Sequence, residues 1–171
     1  MPRAKSQVLV TERKQPMSQR NVIKALNRLL ANECHSLIDY LGEAPPWTHA
    51  GNEDLVALIC RIQADHRQYA QDLADAIVGR DGCPAFGSYP SAYLSLNDLA
   101  LDYLLPQVIQ NQRYSIQVTE QCIGEMIENP HAEKLARNIK ENQRSHLEML
   151  REFLPKPHVI PNGHEVLSHA A

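Results

Sequence analysis

A chain of 171 residues with 43% hydrophobic residues carries enough apolar material for one sizeable core. Aromatic residues make up only 5%, and the abundance of Leu, Ala, Gln and Glu suits helices better than a β-sandwich or barrel. The formal net charge of -3 provides no basic footprint for nucleic acid or an anionic membrane, and no apolar run reaches spanning length, so a cytoplasmic protein is expected.

Residues 1–17 show no sustained period and read as a flexible N-terminal arm, locally basic through Arg3, Lys5, Arg13 and Lys14. From Ser18, a residue able to cap a helix, a first helix is predicted to run to about Leu41 on a stripe of Leu26, Leu30, Leu37 and Leu41, with Gly42 and Pro45-Pro46 as its stop. Trp47, beside those prolines, is expected to pack the end of the first hairpin. A second helix follows from Asn52 as cap, on Leu55, Ile59, Ile62, Tyr69 and Leu73, ending at Gly79. The stretch from Arg80 to Leu94, with Gly82, Pro84, Gly87 and Pro90, reads as a long irregular connection able to travel the length of a bundle. Leu94 to Leu101 is read as a short helix before the third long one, which starts near Asp102 and carries Leu105, Ile109, Ile116, Ile123 and Met126. Asn129-Pro130 supplies a cap and a favoured first residue for the fourth helix, through Leu135, Ile139, Met149, Leu150 and Phe153. The bundle thus spans 18–154, and 155–171 is a tail holding His158, His164 and His169. Cys34, Cys60, Cys83 and Cys122 lack metal or disulfide spacing and read as reduced thiols.

Each apolar stripe is interrupted once by a polar residue where an apolar one is due. Glu33 falls between Leu30 and Leu37, His66 between Ile62 and Tyr69, Gln112 between Ile109 and Ile116, and His146 between Ile139 and Met149. Gln112 and His146 lie equally far from the Asn129 turn, so the second hairpin brings them to one height. The separation from Glu33 to His66 is within one residue of that from Gln112 to His146, a weak internal duplication. Gln63 and Gln143 each precede a histidine by three residues and share its helix face. One buried polar layer at mid-height is therefore expected.

The series Glu33, Gln63-x-x-His66, Gln112, Gln143-x-x-His146 resembles the ferritin-like superfamily, whose di-iron members place Glu, Glu-x-x-His, Glu and Glu-x-x-His on four successive helices. The resemblance covers about Ser18 to Leu154 and implies an antiparallel four-helix bundle with a long crossover between helices 2 and 3, and a homo-oligomer. Three of the four glutamates that the pattern implies are glutamines here, Gln63, Gln112 and Gln143. One carboxylate leaves the charge of two divalent ions largely uncompensated, which argues against a conventional di-iron ferroxidase.

Three readings follow. Glu33, His66 and His146 hold one divalent metal ion, iron or zinc, with Gln63, Gln112 or Gln143 as weak ligands or hydrogen-bonding neighbours, which leaves iron-dependent oxidoreductase chemistry open. Alternatively the layer is metal-free and fixes helix register by hydrogen bonds. In the third, the bundle is a scaffold acting through assembly or protein partners, with Leu101, Leu104, Val108 and Val118 either forming a surface stripe or widening the core face. No catalytic residue is singled out.

Overall fold

Helix α1 (Met17–Cys34) starts one residue before the expected cap, and it does not continue to Leu41. The computed structural model describes residues 17–155, so the N-terminal arm before Met17 and the tail histidines His158, His164 and His169 lie outside the described residues. At Ser36 the backbone turns extended (φ -67°, ψ 162°), and Ser36 becomes the N-cap of a new seven-residue helix α2 (Leu37–Glu43), its hydroxyl oxygen accepting from the Asp39 N–H at 3.1 Å. The N–H of Leu37, freed by this interruption, donates to Asn111 Oδ1 at 2.9 Å. The local cause is the run Ser36-Leu37-Ile38-Asp39, a serine followed three residues later by an acid, which starts a helix inside an otherwise helical pattern.

Gly42 was expected to stop this segment, yet it lies inside α2. Its lack of a side chain makes room for Gln63: a Cβ at position 42 would come within 2.7 Å of Gln63 Cδ and closer still to its amide nitrogen. Trp47, expected to pack against the hairpin, is 70% exposed. Its backbone is engaged instead, its N–H donating to Leu99 O and its carbonyl accepting from Leu101 N.

Helix α3 (Glu53–Val78) begins with Glu53 and Asp54 in its first turn, where carboxylates favour the positive end of the helix dipole. Asn52 precedes it but makes no side-chain capping bond. The chain then crosses from the far end of α3 to the start of α4, running along α1: Asn27 holds Cys83 and Ala85, and Gly87 (φ +82°) passes beside Ala31. The short helix expected over Leu94–Leu101 is instead a 3₁₀ turn over Ser91–Leu96. Helix α4 (Leu101–Glu125) tolerates Pro106 near its start, and α5 (Pro130–Arg151) is capped by Asn129, whose Oδ1 accepts from Ala132 N at 3.1 Å.

Because the connection spans the bundle, α3 and α4 run parallel while α1 with α3, and α4 with α5, form antiparallel hairpins. Leu101, Leu104, Val108 and Val118 are all buried, so they widen the core face and form no surface stripe. The core falls into two apolar halves. One gathers Leu37, Ile38, Leu55, Ile59, Ile62 and Leu150, and the other Leu26, Leu30, Leu73, Ile77, Met126 and Ile139. The polar layer lies between them.

Gly42→Ala is expected to destabilise the fold by about 1–3 kcal/mol, because it evicts a buried amide in a packed core. Urea denaturation checks this, and in the Gly42→Ala/Gln63→Ala double variant the two costs should fall short of their sum.

Candidate functional site

Glu33 of α1 and His66 of α3 meet across the α1–α3 hairpin, with Glu33 Oε2 3.9 Å from His66 Nε2 and both side chains at most 3% exposed. His146 of α5 lies opposite, its ring centre 6.2 Å from that of His66. Gln63, Gln112 and Gln143 are buried in the same layer. All six expected residues are thus buried, and Gln143, Glu33, His66 and His146 neighbour one another in turn, while Gln63 reaches Ile38 and the space beside Gly42 instead.

The glutamines are occupied as hydrogen-bond donors between helices. Gln63 Nε2 donates to Ile38 O at 2.7 Å, Gln112 Nε2 to Gln143 O at 3.1 Å, and Gln143 Nε2 to Glu33 Oε1 at 2.7 Å. Gln143 Oε1 accepts from Thr119 Oγ1 at 2.9 Å. A carboxylate at these positions could only accept. Glutamine thus removes charge from the core while adding the N–H that ties one helix to the next.

Four residues absent from the expected set complete the layer. Asp39 Oδ2 lies 2.8 Å from His66 Nδ1, and Ser36 donates to the same oxygen at 2.6 Å. Asp65 Oδ2 lies 2.8 Å from His146 Nε2. Thr119 holds Gln143 as above. Against an ionised carboxylate the facing ring nitrogen must donate, so a neutral His66 presents its lone pair on Nε2 and a neutral His146 on Nδ1. The Ser36-x-x-Asp39 run could have revealed Asp39 in advance, whereas Asp65 merely neighbours a stripe position.

Two buried atoms of this layer have no hydrogen-bond partner among the described residues: Glu33 Oε2 and His146 Nδ1. Burial pushes the Glu33 carboxyl above its ordinary range, against the attraction of His66 and the hydrogen bond from Gln143. Burial pulls the His66 imidazolium down, but Glu33 and Asp39 outweigh it and the net shift is upward. Burial lowers His146, the Asp65 hydrogen bond opposing and His66 adding to the effect. Glu120 and Glu141 are exposed and stand outside the layer. Tyr114 is exposed, Tyr40 bonds Asn97 at 2.6 Å, and Tyr69 accepts from Asn142.

Among the described residues, no three His, Cys, Asp or Glu side chains are already gathered closely enough to hold a metal ion as they stand. A two-metal centre fits poorly, since Glu33 is the one acidic side chain among the six layer positions. One ion fits better: Glu33 Oε2 and His146 Nδ1 are unpartnered, and His66 Nε2 faces the first of them.

Two consequences are measurable. Glu33→Gln keeps the acceptor for Gln143 and removes a buried charge, so the metal-free protein should gain about 1–3 kcal/mol in urea denaturation at neutral pH. The native carboxyl holds its proton more tightly than the unfolded one, so wild-type stability falls as pH rises through its titration and the gap to the variant widens. Separately, burial and the nearby charges of Asp39 and Glu33 push the half-buried Cys34 thiol up to about 11. Its alkylation by iodoacetamide near neutral pH should lag that of the exposed Cys60 and Cys83, rising about tenfold per pH unit.

No family model and no curated protein matches the chain. Solved structures do. A ferritin-like, diiron-carboxylate protein from Bacillus anthracis str. Ames superposes with a TM-score of 0.65 at 17% identity, covering 82% of this chain and 100% of that one. Dps from Thermosynechococcus elongatus gives 0.67 at 20% identity, covering 88% and 97%. The Desulfovibrio desulfuricans bacterioferritin, whose diiron site was studied in different catalytic states, gives 0.63 at 18%, covering 79% and 78%. The helix order, the crossover between α3 and α4 and these likenesses agree: the chain has the ferritin-like fold.

Proposed function

We propose that this chain is a ferritin-like metal-binding protein whose core takes a single divalent ion, iron or zinc, on Glu33, His66 and His146. The observation that carries the reading is the arrangement of the two histidines. Each has one ring nitrogen bonded to a carboxylate, Asp39 for His66 and Asp65 for His146, which leaves the other nitrogen for a ligand. Carboxylate support of this kind fixes the tautomer and raises the basicity of a metal-binding imidazole. Glu33 Oε2, buried and unpartnered, is the third donor.

Charge supports one ion over two. Glu33, Asp39 and Asp65 offset a divalent cation between neutral imidazoles, whereas a second cation would face the amides of Gln63, Gln112 and Gln143. The named neighbours with diiron sites lend the fold-level support. Two histidines and one carboxylate leave coordination positions open on zinc or ferrous iron, the chemistry such an ion would supply. Around it, Gln143 and Asn32 hold Glu33 Oε1, and Ser36 holds Asp39, so the three donors are oriented by the chain itself. Self-assembly belongs to the same reading, with Trp47 and Tyr103 left 70% and 67% exposed; sedimentation velocity checks it.

Plasma mass spectrometry on untagged protein, loaded anaerobically with iron or zinc and desalted, tests the site. Wild type should retain about one ion per chain, and His66→Ala/His146→Ala and Glu33→Gln should retain little. Two ions per chain would mean that further ligands are recruited. No retained ion in wild type would leave the layer as a hydrogen-bonded device for helix register.

A further inference from the structure

Of the carboxylates that meet the polar layer, Glu33 is 1% exposed, Asp39 12% and Asp65 43%. Asp65 thus joins solvent to the layer, through the 2.8 Å contact of its Oδ2 with His146 Nε2. His146 itself is buried, and its other nitrogen, Nδ1, has no hydrogen-bond partner among the described residues. A short path therefore leads from water, through one carboxylate and one imidazole, to the layer. Towards α4 the layer ends in buried Gln112 and Thr119, and beside α2 in buried Ser36.

Asp65 belongs to a row of contacts between α3 and α5. One turn before it, exposed Arg61 donates through Nη2 to Met149 Sδ at 2.8 Å, and one turn after it Tyr69 accepts from Asn142. These neighbours differ in charge: Arg61 is a cation, whereas burial pushes the Tyr69 phenol up and keeps it neutral. We propose, resting on the reading that the layer takes a divalent ion, that Asp65 is the receiving carboxylate and that loading runs between α3 and α5. An exposed carboxylate attracts a hydrated cation and can exchange an oxygen for one of its waters. His146, bonded to Asp65, is then the next donor inward. Arg61, one turn away, repels the same cation and holds the loading rate down.

Stopped-flow absorption with cobalt(II) on the full chain measures loading, and a chase with EDTA measures release. Asp65→Asn should slow loading about tenfold at low ionic strength, the difference shrinking as salt is added. Arg61→Gln should speed loading about twofold or more. Glu120→Gln, which removes an exposed acid of α4 instead, should load at the wild-type rate. If Asp65 does no more than position His146, Asp65→Asn hastens release and loads like wild type, which overturns the proposal. An equal slowing in Glu120→Gln overturns it too, as a general effect of charge. Circular dichroism verifies folding; should Asp65→Asn not fold, Arg61→Gln decides, and a rate that fails to rise counts against the route. A wild type that retains no cobalt sinks the site and the route together, whereas one retained ion with unaltered loading in Asp65→Asn sinks the route alone.

Discussion

A single buried carboxylate, Glu33, sets the terms for the middle of this bundle. An ionised acid in an apolar interior is costly unless donors and opposite charge surround it. Gln143 and Asn32 donate to one of its oxygens, and His66 stands 3.9 Å from the other. Those partners come from α1, α3 and α5, so the demand of one side chain couples three helices. His66 in turn requires Asp39, and Asp39 sits where it does only because the first helix is interrupted at Ser36. The break, the short helix α2 and the absence of a side chain at Gly42 follow from the same layer.

The three glutamines tie the helices together without adding charge to the core. Each amide nitrogen reaches a carbonyl or carboxylate on a neighbouring helix, contacts that glutamate could not make in the same sense. Interhelical bonds of this type are exacting, because a half-satisfied polar network in a low-dielectric core is worse than an apolar one. The layer satisfies nearly all of its members, and the two atoms it leaves over, Glu33 Oε2 and His146 Nδ1, are the ones through which a ligand could act.

The long elements and the layer were legible in the sequence because helical periodicity is strong over twenty residues, and a lone polar residue in an apolar stripe stands out. Glu33, His66, Gln112 and His146 were visible on that ground, and Gln63 and Gln143 by their spacing. Asp39 and Asp65 were not, since each lies beside its stripe and looks like an ordinary solvated acid. The helix break was hidden for a different reason. The apolar pattern continues through Leu37 and Leu41, and the capping serine that overrides it is a local signal that periodicity averages away. Gly42 misled in the same manner, its role being a close approach by Gln63 from another helix, which no local pattern encodes. Short irregular pieces such as Ser91–Leu96 depend on what the connection packs against, and the sequence could place them only roughly.

The two hairpins repeat one plan, yet the repeat is uneven: position 33 carries an acid and its counterpart, position 112, an amide. A symmetric pairing of two first hairpins would set two carboxylates in one confined volume, and a pairing of two second hairpins would supply none. Joining unlike halves in one polypeptide lifts that restriction, because each half is free to specialise against the other. The acid of the first hairpin and the amide donor of the second, Gln143, are complementary in the way that two different subunits are. In this sense the chain behaves as a covalently linked heterodimer of helical hairpins, which differ at positions 33 and 112 and in the helix break at Ser36 that the first hairpin alone carries.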